Sequence, residues 1–240
     1  MTGPGPSGAD PVGFPGARQG PAQVRDGRWR AAPYLILAGS DVVLAGLGRG
    51  RARWLTKPLL MPALCVGRDR PTQLALGLCG AGDVALIATA PAAFTAGLGC
   101  FLAGHLAWVG ALRARGGGGQ LRRRPLLGVP LVAAHAGLNA VLWPRTGRDR
   151  LPVLAYSTVL TAMALVAVDS GDPAAAAGGA LFMVSDSLIA LDRFAHLRLP
   201  AHEGWVMATY TAAQWLLSSG GKAGPPVGAT RPCGRPRSDS

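Results

Sequence analysis

Eight apolar stretches follow one another between residues 33 and 219, separated by short breaks rich in arginine. They run at approximately 33–48, 57–67, 72–90, 94–112, 125–143, 151–168, 174–191 and 203–219, and seven of them are 16–19 residues long. About 20 apolar residues carry a helix across a bilayer. A soluble helical bundle needs polar faces recurring at helical period, and these stretches mostly lack them. Their Leu, Ala and Gly content suits membrane helices whose backbones approach closely. The expected fold is therefore all-α: a polytopic membrane helical bundle of about eight transmembrane helices over residues 31–219. The second stretch is short and holds Pro58 and Pro62, so it is kinked, re-entrant or extended through Trp54 and Leu55.

Composition supports this class. Charged residues are 15% of the chain and hydrophobic ones 49%, with a mean hydropathy of +0.27. Soluble proteins carry about 25% charged residues, and disorder requires low hydrophobicity. The net charge of +12 does not indicate nucleic-acid binding, because the basic residues lie between apolar stretches and not on a polar folded surface. Residues 1–30 and 220–240 are rich in Gly and Pro and are expected to be disordered tails. The amino-terminal one lacks the apolar core of a signal peptide. With the amino end in the cytoplasm, fifteen of the 24 Lys and Arg residues fall on the cytoplasmic side. Positive-inside logic then places both termini there, in a multi-pass protein of the cell membrane. Cys65, Cys79, Cys100 and Cys233 show no CxxC or Cys/His spacing and read as small packing residues.

Three carboxylates interrupt the apolar stretches: Asp41, Asp83 and Asp186. Each costs at least about 2.5–3 kcal/mol at membrane depth and so needs a reason to be there. In a serpentine of eight helices the first, third and seventh run in one direction, which brings the three acids to similar depth. Lys57 and Tyr156 at the starts of opposed stretches, and His105, Tyr210 and Gln214 near the middles of others, fall in the same half of the membrane. One polar chamber built from several helices is thereby allowed. Gly80 and Gly82 beside Asp83 leave room for a ligand or a neighbouring helix, and Ser185 and Ser187 flank Asp186. Phe94, Phe101, His105 and Trp108 share one broad helical face.

Several of these pieces form motifs. Thr56-Lys57-Pro58-Leu59-Leu60-Met61-Pro62 is followed by Gly82-Asp83-Val84-Ala85-Leu86. Phe94, Gly97, Phe101, Gly104 and His105 come next, then Gly179-Ala180-Leu181-Phe182-Met183-Val184-Ser185-Asp186 with Ala190 and Phe194. Tyr210-Thr211-Ala212-Ala213-Gln214-Trp215-Leu216 closes the series, and Tyr156 with Met163 fits the sixth stretch. In this order the chain resembles the YhhN-like membrane proteins that include the lysoplasmalogenases. Trp108 stands where that family often has tyrosine. The resemblance implies an integral membrane ether hydrolase. It would cleave lysoplasmalogens, single-chain 1-alkenyl glycerophospholipids, to a fatty aldehyde and glycerophosphoethanolamine or glycerophosphocholine.

The residues fit that chemistry. A vinyl ether is cleaved by protonation of the alkene carbon remote from oxygen, capture of the oxocarbenium ion by water, and collapse of the hemiacetal. The reaction needs a protonated acid and a negative group to steady the cation. Two carboxyls close together in a dry site divide into one acid and one carboxylate. Asp83 and Asp186 are expected to be this pair, with Lys57 binding phosphate or tuning the pair. His105, Tyr156, Tyr210 and Gln214 would orient water and the ether oxygen, with Ser185 and Asp41 in support. No metal or redox cofactor follows from this scheme. The expected partners are the lysophospholipid and membrane lipids, with no nucleic acid and no obligate protein partner. The rival readings are a transporter or channel, a metal-assisted lipid hydrolase using Asp83, Asp186 and His105, and a non-catalytic lipid-binding membrane protein.

Overall fold

The computed structural model describes residues 21–87 and 91–220, so the tail expectations for 1–20 and 221–240 lie outside the described residues. Among the described residues there are eight helices of 13 or more residues and no strand. They are α1 (Pro21–Gly46), α2 (Arg53–Cys65), α3 (Arg70–Ile87), α4 (Pro91–Ala114), α5 (Val129–Leu142), α6 (Arg150–Asp169), α7 (Pro173–Ala195) and α8 (His202–Ser219). A helical turn at Gln120–Arg123 and two 3-10 turns, Pro125–Gly128 and Gly147–Asp149, lie in the connections on either side of α5. The first helix begins ahead of its apolar stretch. Helix α2 runs unbroken through Pro58 and Pro62 and takes in Trp54 and Leu55.

Four stretches are long and apolar enough to cross a membrane: Ala92–Ala114, Pro125–Leu142, Gly147–Asp169 and Pro173–Ala195. A third or less of each is buried inside the protein, so their outward surfaces are apolar as well. Apolar groups outnumber the positions that can be covered by protein, and lipid is the medium that matches them. This is an integral membrane protein. The expected count of eight spans is not established by length and composition. Helices α2, α3 and α8 are diluted by Lys57, Asp83, Gln214 and several hydroxyl groups. At about 1.5 Å per residue, the 13 residues of α2 reach only about 20 Å.

The helices close into a ring. Helix α1 packs on α2, α2 on α3, α3 on α4, α4 on α6, α6 on α7, α7 on α8, and α8 returns to α1. Helix α5 sits outside the ring against α6 and α7. The most extensive contacts, α3 with α4 and α7 with α8, run along small residues. Where Gly178 meets α8, a Cβ would lie 2.9 Å from the Leu217 nitrogen and 3.0 Å from the Ala213 oxygen. At Gly82 a Cβ would lie 2.6 Å from the Phe101 ring, so the room beside Asp83 is taken by a neighbouring helix.

The arginine-rich end is held by polar capping. Arg115 donates to the carbonyl of Leu217 at 2.7 Å and Arg68 to that of Ser218 at 2.6 Å, which satisfies carbonyls that the end of α8 leaves open. Gly116, Gly117, Gly118 and Gly119 all take positive φ, a run that side chains would resist. The Asp169 carboxylate pins this loop by accepting from the amides of Gly119 and Leu121 at 3.0 and 2.8 Å.

Replacing Gly178 by leucine pushes against backbone atoms that have no alternative position. The variant is expected to lose about 1–3 kcal/mol, read as a lower thermal midpoint in detergent. Gly137→Ala on α5, where a Cβ meets open space, is expected to leave the midpoint unchanged or raise it.

Candidate active site

A cavity of about 350 Å³ opens among α2 to α8, a size within the usual range for small-molecule sites. Its polar wall carries Lys57, Asp83, Tyr156, Ser185, Asp186 and Tyr210. These six were singled out from the sequence, and five helices remote in the chain bring them together. Leucine, valine and phenylalanine side chains such as Leu86, Leu98, Phe101 and Val153 supply the apolar remainder.

The two acids have different surroundings. Asp83, 2% exposed, lies near the carboxyl end of α3. The Lys57 ammonium stands 3.3 Å from its Oδ1, and Tyr210 donates to its Oδ2 at 2.6 Å. Behind Tyr210 the donors run in one direction. Trp108 Nε1 donates to Gln214 Oε1 at 3.2 Å, which turns the Gln214 amide so that Nε2 donates to the Tyr210 hydroxyl at 3.2 Å. Trp108 thus supplies the first donor of this chain. The chain of donors ends on a carboxylate that also faces a cation, an arrangement that favours negative charge on Asp83. Asp186, on α7, receives the Tyr156 hydroxyl at 2.5 Å on Oδ2, and among the described residues no basic side chain pairs with it.

Three of the expected supporting residues stand off the cavity wall. Gln214 is buried one turn below Tyr210 and acts through it. His105 is fully buried, its ring set edge-on to Phe182 at 4.6 Å and to Tyr156 at 5.4 Å, beneath the Phe101 side chain that lines the cavity. Asp41 belongs to another cluster, accepting from Thr56 Oγ1 at 2.6 Å and pairing with Arg53 at 3.4 Å; Arg53 also reaches Glu203. That cluster ties α1, α2 and α8 together. Among the described residues no three His, Cys, Asp or Glu side chains gather as a metal site.

Other lining groups were not picked out in the sequence. Nδ1 of His135 lies 3.2 Å from both the Asn139 amide nitrogen and the Thr161 hydroxyl. Asp149 and Arg193 also line the cavity. Arg193 could have been found, since it follows Asp186 by seven residues on the same face of α7.

A family model described as the YhhN family matches residues 52–221. The chain belongs to the YhhN family. Among curated members, the lysoplasmalogenases of Mycobacterium bovis and Mycobacterium tuberculosis are each 33% identical to it over 198 residues, which is 79% of this chain and 67% of theirs. Human lysoplasmalogenase TMEM86B is 37% identical over 150 residues, 61% of this chain and 62% of that protein. No solved structure matches the chain. The matched region of the family contains every residue of the polar wall.

Removing the Lys57 ammonium leaves the Asp83 carboxylate buried without its cation. Lys57→Met is therefore expected to lose about 3 kcal/mol of stability, and Lys57→Met with Asp83→Asn to recover much of it. Thermal midpoints of the two single variants and the double variant in one detergent give the coupling. Strict additivity would show that the pair does not interact.

Proposed function

We propose that this chain is a lysoplasmalogenase: a membrane hydrolase that cleaves the vinyl ether bond of a lysoplasmalogen into a fatty aldehyde and the glycerophospho-headgroup alcohol. The observation that carries the reading is the cavity itself. It presents two carboxyls, each held by a tyrosine, to a space walled largely by apolar side chains. The activity named for its curated relatives supports the same reading.

In this proposal Asp186, without a cation beside it, is the acid, and Asp83, paired with Lys57, is the carboxylate. The Asp186 proton adds to the alkene carbon remote from oxygen. The positive charge that develops on the adjoining carbon and the ether oxygen is steadied by Asp83. Water adds to that carbon while losing a proton to a carboxylate, which restores the acid. The hemiacetal then transfers its hydroxyl proton to the glycerol oxygen, the carbon–oxygen bond breaks, and aldehyde and alcohol leave. One water is consumed and the two acids end as they began. Tyr156 and Tyr210 hold the carboxyls against rotation, and the donors behind Tyr210 fix Asp83 as an acceptor. Fixed polar groups of this kind act without reorganising as charge develops.

The same proposal takes α1, α2, α3 and α8 as membrane-embedded with the four longer apolar helices. It places both termini in the cytoplasm with the arginine-rich loops. The cavity then opens toward the opposite face, beside the connections that precede α6 and follow α7.

The test is product identification by mass spectrometry after incubating purified protein with alkenyl, alkyl and acyl lysolipids. Fatty aldehyde from the alkenyl lipid alone is the expected result; cleavage of the acyl lipid alone would replace the reading with an ordinary lysophospholipase. Asp83→Asn and Asp186→Asn are each expected to lower kcat by about 100-fold or more while eluting from a sizing column as the wild type does. Robust turnover by either variant would remove that acid from the mechanism.

A further inference from the structure

Two charged side chains line the cavity and take no part in the chemistry above: Arg193, near the end of α7, and Asp149, immediately before α6. Both are exposed, whereas Asp83 at the other extreme is buried, so they mark the mouth. The Arg193 guanidinium lies over the Phe94 ring, 3.5 Å from its centroid, and 5.8 Å from that of Phe194. Stacking holds the plane of the group while its N–H edges stay available for a planar fork of hydrogen bonds. Among the described residues neither Arg193 nor Asp149 has an ion-pair partner, and they do not pair with each other. An unpaired cation and an unpaired anion at one opening are complementary to a ligand that carries both charges.

The spacing agrees. Arg193 follows Asp186 by seven residues, about 10 Å along the helix and on the same face. In a lysoplasmalogen, seven bonds separate the alkene carbon that takes the proton from the phosphorus atom, about 8 Å at full extension. A lipid whose alkene carbon meets Asp186 therefore brings its phosphate within reach of the Arg193 side chain.

We propose that Arg193 and Asp149 form a headgroup clamp, with Arg193 binding the phosphate and Asp149 the ammonium of a zwitterionic phosphoethanolamine or phosphocholine. The proposal rests on the lysoplasmalogenase reading for its ligand. It gives the phosphate to Arg193 and leaves Lys57 to Asp83. The clamp selects lipids with a cationic amine beyond the phosphate, and it fixes the register of the alkenyl chain at the acids.

Uncleavable 1-O-alkyl analogues separate binding from turnover. Dissociation constants are measured for alkyl-glycerophosphocholine, alkyl-glycerophosphate and alkylglycerol with the full-length wild type, Arg193→Gln, Arg193→Lys and Asp149→Asn. Arg193→Gln is expected to weaken both phosphate-bearing ligands by about tenfold or more and alkylglycerol by less than twofold. Arg193→Lys is expected to recover part of the loss. Asp149→Asn is expected to weaken the phosphocholine ligand and spare the phosphate one. Equal weakening of all three ligands, or no weakening, would overturn the clamp. If that pattern holds while the wild type cleaves no vinyl ether, the clamp stands and the hydrolase reading falls.

Discussion

A carboxylate cannot sit among apolar helices without company, and the pairing of Asp83 with Lys57 and Tyr210 organises much of the bundle. The ion pair joins α2 to α3, and the tyrosine joins α3 to α8. Through Gln214 and Trp108 the same network reaches α4. Breaking one member would strand a charge or a donor in surroundings with no water to replace it. The ring of helices is thus closed by contacts that a purely apolar bundle would not specify. Packing of Leu, Ala and Gly makes the helices adhere, and the polar network sets which faces meet.

Helix α8 carries many of these obligations. Tyr210 and Gln214 serve the site, and Ser185 of α7 donates to its Val206 carbonyl at 3.1 Å. Tyr34 of α1 donates to its Thr211 carbonyl at 2.7 Å, and the Tyr34 ring stacks on Trp215 at 5.6 Å between centroids. Arg68 and Arg115 close its far end. A helix with so many polar commitments is less hydropathic than α7 beside it, although it is among the most buried. For the same reason α3 and α8 fall outside the helices that length and apolarity alone assign to the membrane.

The fold class was legible in the run of apolar stretches, and the two acids in their positions along a serpentine. Alternating direction gives depth, and depth was enough to bring Asp83, Asp186, Lys57, Tyr156 and Tyr210 to one level. Depth gives no information on bearing around the ring. Asp41 is at the right level but points into a separate cluster with Arg53 and Thr56. His105 shares a helical face with Phe94 and Phe101, yet lies one turn farther from the mouth than Phe101, beneath the cavity. Gln214 stands in the same relation to Tyr210. Arg193 and Asp149 read as ordinary helix-end charges until their neighbours are known. Phe94 is far from Arg193 in the chain, and no spacing rule links them.

The account turns on an unequal division of charge between two acids facing one cavity. Infrared spectroscopy of the protonated carboxyl stretch, recorded at neutral pH on the purified protein and its aspartate-to-asparagine variants, reads that division directly. The account predicts a protonated-carboxyl band in the wild type that disappears in Asp186→Asn and persists in Asp83→Asn. A band that persists without Asp186 and vanishes without Asp83, or no such band in the wild type, would contradict it.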